Sequence, residues 1–150
     1  MKTTSNRSLR GLALVAGTVV LFASTALIHA HGAEAKDTDM AKPTTSAAAL
    51  EQVHHLHLEL ADLVKDKNLK PVHETAEKLT DVLNALPALS KDLPADKLKR
   101  VEGAVKNLAV ALDALHDAAD DGNQAGAEKQ LGVVESLLKL LSAQYPQPSM

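Results

Sequence analysis

Four stretches of this chain repeat Leu, Val and Ala at three- and four-residue spacing, and Pro, Gly, Asn and Asp gather between them. That spacing lays one apolar stripe along each helix and leaves the other face wet. No β-branched run alternates with polar residues, so no strand is expected. A stripe of this kind is stable only when it is buried against another. Four of them joined by short turns predict an all-α, antiparallel up-down-up-down four-helix bundle over residues 46–145.

The first helix is expected over residues 46–67, capped by Thr44, Thr45 or Ser46, because a hydroxyl accepts from an orphan backbone N–H. Its seam reads Leu50, Val53, His57, Leu60 and Val64, with Glu51, His55, Glu59, Asp62 and Asp66 on the wet face. The second begins after Asn68 as cap, with Pro71 in its first turn, and has the seam Val72, Ala76, Leu79, Leu83 and Leu86. Pro87 is expected to end or kink it, and residues 88–93 form a connection. Pro94 opens the third helix, with the seam Val101, Val105, Leu108, Leu112, Leu115 and Ala119. Asp120-Asp121-Gly122-Asn123 reads as a turn, Gly122 stopping one helix and Asn123 capping the next. The fourth helix carries Ala127, Leu131, Val134, Leu138 and Leu141 and stops before Pro146, leaving residues 146–150 as a tail.

Ahead of the bundle the chain carries an export signal. Lys2, Arg7 and Arg10 form a positive start, Gly11 to Ile28 is uncharged and apolar, and small residues follow up to Ala33-Glu34-Ala35. Cleavage is expected after Ala35, with residues 1–35 as signal peptide and residues 36–45 as a disordered linker. The alternatives are a cut after Ala30 and an uncleaved anchor, since the apolar run is near the lower limit for crossing a bilayer. A cut after Ala30 would leave His31 as the first residue, whose amine and imidazole together chelate copper. The expected address is the periplasm or the outside of the cell, with no membrane attachment after cleavage.

Composition narrows the function classes. Removing residues 1–35 takes Lys2, Arg7, Arg10 and Glu34, so the net charge moves from −3 to −5. Such a surface repels nucleic acid and anionic lipid. There is no cysteine, so core packing alone must hold the fold even in an oxidising compartment. Tyr145 is the one aromatic residue left once Phe22 goes with the signal, which argues against a pocket that stacks a flat ligand on rings. No Gly-x-Ser-x-Gly elbow, His-Glu-x-x-His pair or phosphate loop is present, so no enzymatic activity is expected. A di-iron centre needs two Glu-x-x-His motifs; Glu51 and His54 supply one and there is no second.

The segment Leu112-Asp113-Ala114-Leu115-His116-Asp117-Ala118-Ala119-Asp120-Asp121-Gly122-Asn123 and the Gln144-Tyr145 ending resemble the exported four-helix bundles of the cytochrome b562 and cytochrome c′ type. The resemblance implies the same fold. Haem is not implied with it. The Cys-x-x-Cys-His attachment of cytochrome c′ is missing, and the late fourth helix, Leu141-Ser142-Ala143-Gln144-Tyr145, offers no axial histidine or methionine. Where cytochrome b562 places a methionine early in its first helix, this chain has His54, His55 and His57.

Those histidines carry the functional reading. Five remain after cleavage at Ala35: His54, His55, His57, His73 and His116. His54 and His57 are three apart, hence neighbours on a helix surface, and two imidazoles at that spacing suit copper, zinc or nickel. His73 lies about five residues from the first turn and His116 about six from the second, so at ~1.5 Å per residue they stand at similar height. His57 is about ten residues from its turn, roughly one helical turn deeper. A metal site drawn from His54, His57, His73 and His116 follows, with Glu77 or Asp113 as an oxygen ligand. Taken singly, each histidine reads as an ordinary core-edge or surface residue; the metal reading belongs to the set. The expected function is a periplasmic, non-enzymatic metal-binding bundle that buffers a divalent transition metal or assists its handling. Two alternatives stand beside it: an envelope interaction bundle that docks a protein partner and binds no metal, and a haem-binding electron carrier. For the docking alternative, Leu56, Leu63, Val133, Leu137 and Leu140 are the candidate exposed strip, although in a bundle widening of the buried stripe accounts for them better.

Overall fold

The computed structural model describes residues 41–146. The export signal, the first half of the expected linker and all of the tail but Pro146 lie outside the described residues. Four α-helices follow one another: α1 Ser46–Lys65, α2 Val72–Leu89, α3 Ala95–Asp120 and α4 Gln124–Ser142. Among the described residues there is no strand, and no helix is long and apolar enough to cross a membrane.

Helix starts follow from cap chemistry. The Thr45 hydroxyl accepts from Ala48 N–H at 3.2 Å, and the Asn123 side-chain oxygen accepts from Gly126 N–H at 3.0 Å. Gly126 is needed for that second cap. A Cβ there would sit 2.6 Å from Asn123 Nδ2 and 2.9 Å from its Cγ. Asn68 does not cap α2. The helix begins after Pro71, which makes no side-chain cap bond, while the Asn68 N–H turns back to Leu63 O at 2.9 Å.

That bond belongs to a motif used twice. After α1, Lys67 N–H bonds Val64 O and Asn68 N–H bonds Leu63 O; after α3, Gly122 N–H bonds Ala119 O and Asn123 N–H bonds Ala118 O. Both are Schellman closures, which place one residue in the left-handed region. Gly122 sits there at φ +66° and Lys67 at φ +58°. A side chain in that region costs about 1 kcal/mol or more. Lys67→Gly should therefore raise the unfolding free energy by about 1 kcal/mol, and Gly122→Ala should lower it by a similar amount. Urea denaturation of the two variants checks both signs.

Pro87 does not end α2, which runs on to Leu89. It stands in the last turn, two residues before the helix stops, and Ser90 N–H closes the end on Pro87 O at 3.3 Å. α3 starts at Ala95, with Pro94 as its N-cap.

Each helix packs on two neighbours in the ring α1–α2–α3–α4, and the diagonal pairs stay apart. The core is Leu, Val and Ala, with Leu60, Leu79, Leu83, Leu86, Leu108, Leu112, Leu115 and Leu141 fully buried. The expected seams of α2 and α3 are buried throughout; in α4, Leu131 is only half-buried.

The α1 seam differs at two places: it is Ala49, Val53, Leu56, Leu60 and Val64, with Ala49 buried in place of Leu50 and Leu56 in place of His57, which stands at its edge. Leu56 and His57 are about 100° apart on a 3.6-residue helix, so α1 cannot bury both fully. Burying a leucine gains about 1.5–3 kcal/mol, while an unpaired imidazole loses solvation, so the helix turns Leu56 inward.

Two buried polar side chains tie elements together. Thr75 Oγ1–H donates to Glu59 Oε1 at 3.1 Å across α1 and α2. Ser90, after α2, shares a 2.8 Å hydroxyl bond with Tyr145, after α4. Gln124, at the start of α4, donates to Val64 O near the end of α1 at 2.7 Å.

Candidate metal centre

His73 is in the first turn of α2, and His116 and Asp120 are in the last turns of α3. The buried neighbours Val72 and Ala76 hold α2 against the core, and Leu112, Leu115 and Ala119 do the same for α3. Both histidines thereby emerge at the edge of the α2–α3 interface, at the same level. His73 Nδ1 lies 2.5 Å from His116 Nε2, and the rings meet edge to face with centroids 4.1 Å apart. Asp120 is one turn below His116, and its Oδ2 is 2.8 Å from the same Nε2. On the far side of the first ring, His73 Nε2 faces Glu77 Oε1 at 3.4 Å.

Glu77 is an acceptor only, and the His73 tautomer with its proton on Nε2, toward Glu77, leaves a lone pair at Nδ1. His116 Nε2 then has two acceptors in front of it, that lone pair and the Asp120 carboxylate. One N–H cannot point along both directions. In the His116 tautomer with its proton on Nδ1, acceptor atoms of all three residues gather in one place, an arrangement that a divalent cation would satisfy. His73, His116 and Asp120 offer three ligand atoms within 4.8 Å of one another. The Glu77–His73 contact is the outer-shell carboxylate that commonly orients a ligating imidazole and fixes its tautomer.

The surroundings are half open. The side chains of His73 and His116 are 43% and 26% exposed, which allows a metal to enter and leave. A groove of about 760 Å³ runs from the two histidines along α2 and α3 past Ala76, Thr80, Asp81, Ala109, Val110 and Asp113. His116 also groups with Asp113 and Asp117, on the α3 surface.

The structure thus brings His73 and His116 together and places His54 and His57 apart from them. Both belong to α1; His54 is exposed and His57 half-buried. The charged groups acting on His57 are Glu135 and Lys139 of α4 and His54 itself. Among the described residues, neither joins a set of three ligand atoms. Glu77 serves the outer nitrogen of His73, and the carboxylate beside the two imidazoles is Asp120. Sequence reading set Asp120 aside as a solvated turn residue. Its signal was the four-residue spacing from His116, which stacks the two side chains on one helix face.

His57 has a consequence of its own for stability. Burial lowers its pKa from the ordinary value; Glu135 opposes this, and His54 and Lys139 add to it. Between the lowered folded pKa and the unfolded value near 6.5, the unfolded chain therefore binds more protons. Stability in that window rises with pH, is complete above about 6.5, and falls on acidification. In metal-free protein, His57→Gln should flatten the fall in melting temperature between about pH 7 and pH 5. An unchanged pH profile would remove His57 from this role.

No family model matches this chain, and no curated protein and no solved structure is significantly similar to it.

Proposed function

We propose that this is an exported, non-enzymatic protein whose antiparallel up-down-up-down bundle holds a divalent transition metal (copper, zinc or nickel) at His73, His116 and Asp120. It acts in the periplasm as a buffer or an accessory to metal handling. One observation carries the reading: the convergence of His73 Nδ1, His116 Nε2 and Asp120 Oδ2, with Glu77 behind the first ring. Two imidazoles and a carboxylate suit these three metals better than calcium or magnesium, which prefer all-oxygen shells. Partial exposure favours exchange over a permanently sealed structural ion. The antiparallel arrangement is supported by the pairing of the α1 end with the α4 start through Gln124. Likeness to the cytochrome b562 and cytochrome c′ bundles enters as architecture alone. Export rests on residues 1–35, and the intact mass of the secreted protein distinguishes a cut after Ala35 from one after Ala30.

The test is a calorimetric titration of the purified protein with Cu(II), Zn(II) and Ni(II). One equivalent should bind with a Kd tighter than micromolar. A double His73→Ala/His116→Ala variant that binds as tightly as the parent would reject the site.

A second reading has its own observation. Leu58, Val133 and Leu140 are exposed on α1 and α4, as a bundle that docks an envelope partner would require. Leu56, by contrast, is buried in the core. A strictly monomeric protein that retains no partner on co-purification counts against docking.

A further inference from the structure

His73, His116 and Asp120 supply three ligand atoms, and a divalent transition metal commonly takes four or more. The open side of the site is the α2–α3 groove. Short side chains make it: Ala76 and Thr80 on α2 face Ala109 on α3, where longer residues would have closed the interface. Its rim carries Val110, which is 72% exposed, an apolar surface that a bound molecule would cover. Its charged walls are Glu77, Asp81 and Asp113, and no Lys or Arg lines it. A negatively charged molecule is repelled there, and a neutral or cationic one is favoured.

Resting on the metal reading, we infer that the bound metal keeps an open position toward this groove and takes there a small imidazole-bearing molecule, forming a ternary complex. The metal-bound water leaves and the neutral imidazole nitrogen replaces it, with no change of oxidation state. Imidazole suits the same three metals as the protein's own ligands, and its uncharged ring passes the acidic walls. The protein would then receive and release its metal as a complex with a small nitrogen ligand rather than as the bare ion.

The experiment loads the purified protein with one equivalent of Cu(II) and follows its visible and electron paramagnetic resonance spectra during titration with imidazole. A saturable change at one imidazole per copper, without loss of copper from the protein, is the expected result. Acetate at the same concentrations should leave the spectra unchanged. Ala109→Leu, which fills the groove, and Val110→Trp, which covers its rim from an exposed position, should bind copper like the parent and lose the imidazole response. Circular dichroism checks that both variants are folded. Copper binding without any imidazole response overturns the ternary complex and leaves the metal site standing. An equal response to acetate, or an undiminished response in both groove variants, also overturns it. Failure to bind copper in the first step overturns the metal reading itself.

Discussion

His116→Ala should abolish the thermal stabilisation that metal confers on this protein. His116 faces both other members of the candidate centre, His73 and Asp120, so its loss removes the ligand atom that lies against each of the other two. A ligand that binds only the folded state stabilises it by about 2.7 kcal/mol when its free concentration is a hundredfold above Kd. For a domain of this size that corresponds to a rise in Tm on the order of 10 °C. Differential scanning calorimetry with and without Zn(II) should show that rise in the parent and none in His116→Ala. A His54→Ala/His57→Ala variant should keep the full rise, because His57 faces Glu135 and Lys139 of α4 and neither residue joins the candidate ligand set. Glu77→Gln should keep part of it: the ligands remain, while the carboxylate that orients His73 is gone. Losing such an outer-shell partner typically weakens metal affinity by about 10–100-fold.

The second large effect lies in the core. Leu83→Ala should lower the unfolding free energy by about 2–5 kcal/mol, through lost apolar transfer and the cavity left behind. Total stability for a domain of this kind is about 5–15 kcal/mol, so one such change removes a large fraction. There is no disulfide to limit the loss, and Leu83 is fully buried. Leu140, 63% exposed on α4, is the control; Leu140→Ala should change stability by no more than about 0.5 kcal/mol. Chemical denaturation with a common slope for both variants separates the two outcomes.

The helices and most of their buried faces were legible because a 3.6-residue period in Leu, Val and Ala has few other solutions. Where two apolar-compatible rotations competed, spacing alone was insufficient. Counting in threes and fours through the first helix put His57 on the seam, and the cost of burying an imidazole in place of Leu56 decided otherwise. Turn chemistry was legible at Gly122, where the residue type announces a left-handed backbone. It was not legible at Lys67, where the same closure uses a residue that only tolerates it. Pro87 marked the end of α2 to within one turn, since the helix stops at Leu89.

The candidate metal centre was legible in part. His73 and His116 are separated by much of the chain, and only counting residues back from the two turns placed them at one level. Helix rotation about its own axis decides which side chains meet, and a linear sequence does not state that rotation. His54 and His57 carried the more obvious local motif, yet His54 is exposed and His57 faces α4. Asp120 was hidden by its adjacency to Asp121 and Gly122, which made it look like part of a solvated turn.

The most direct test is the anomalous scattering of Zn(II) or Cu(II) in crystals of the metal-loaded protein. One peak should lie about 2.0–2.2 Å from His73 Nδ1, His116 Nε2 and an Asp120 carboxylate oxygen. A peak at His54 and His57 with none between α2 and α3, or no peak at all, would contradict the assignment.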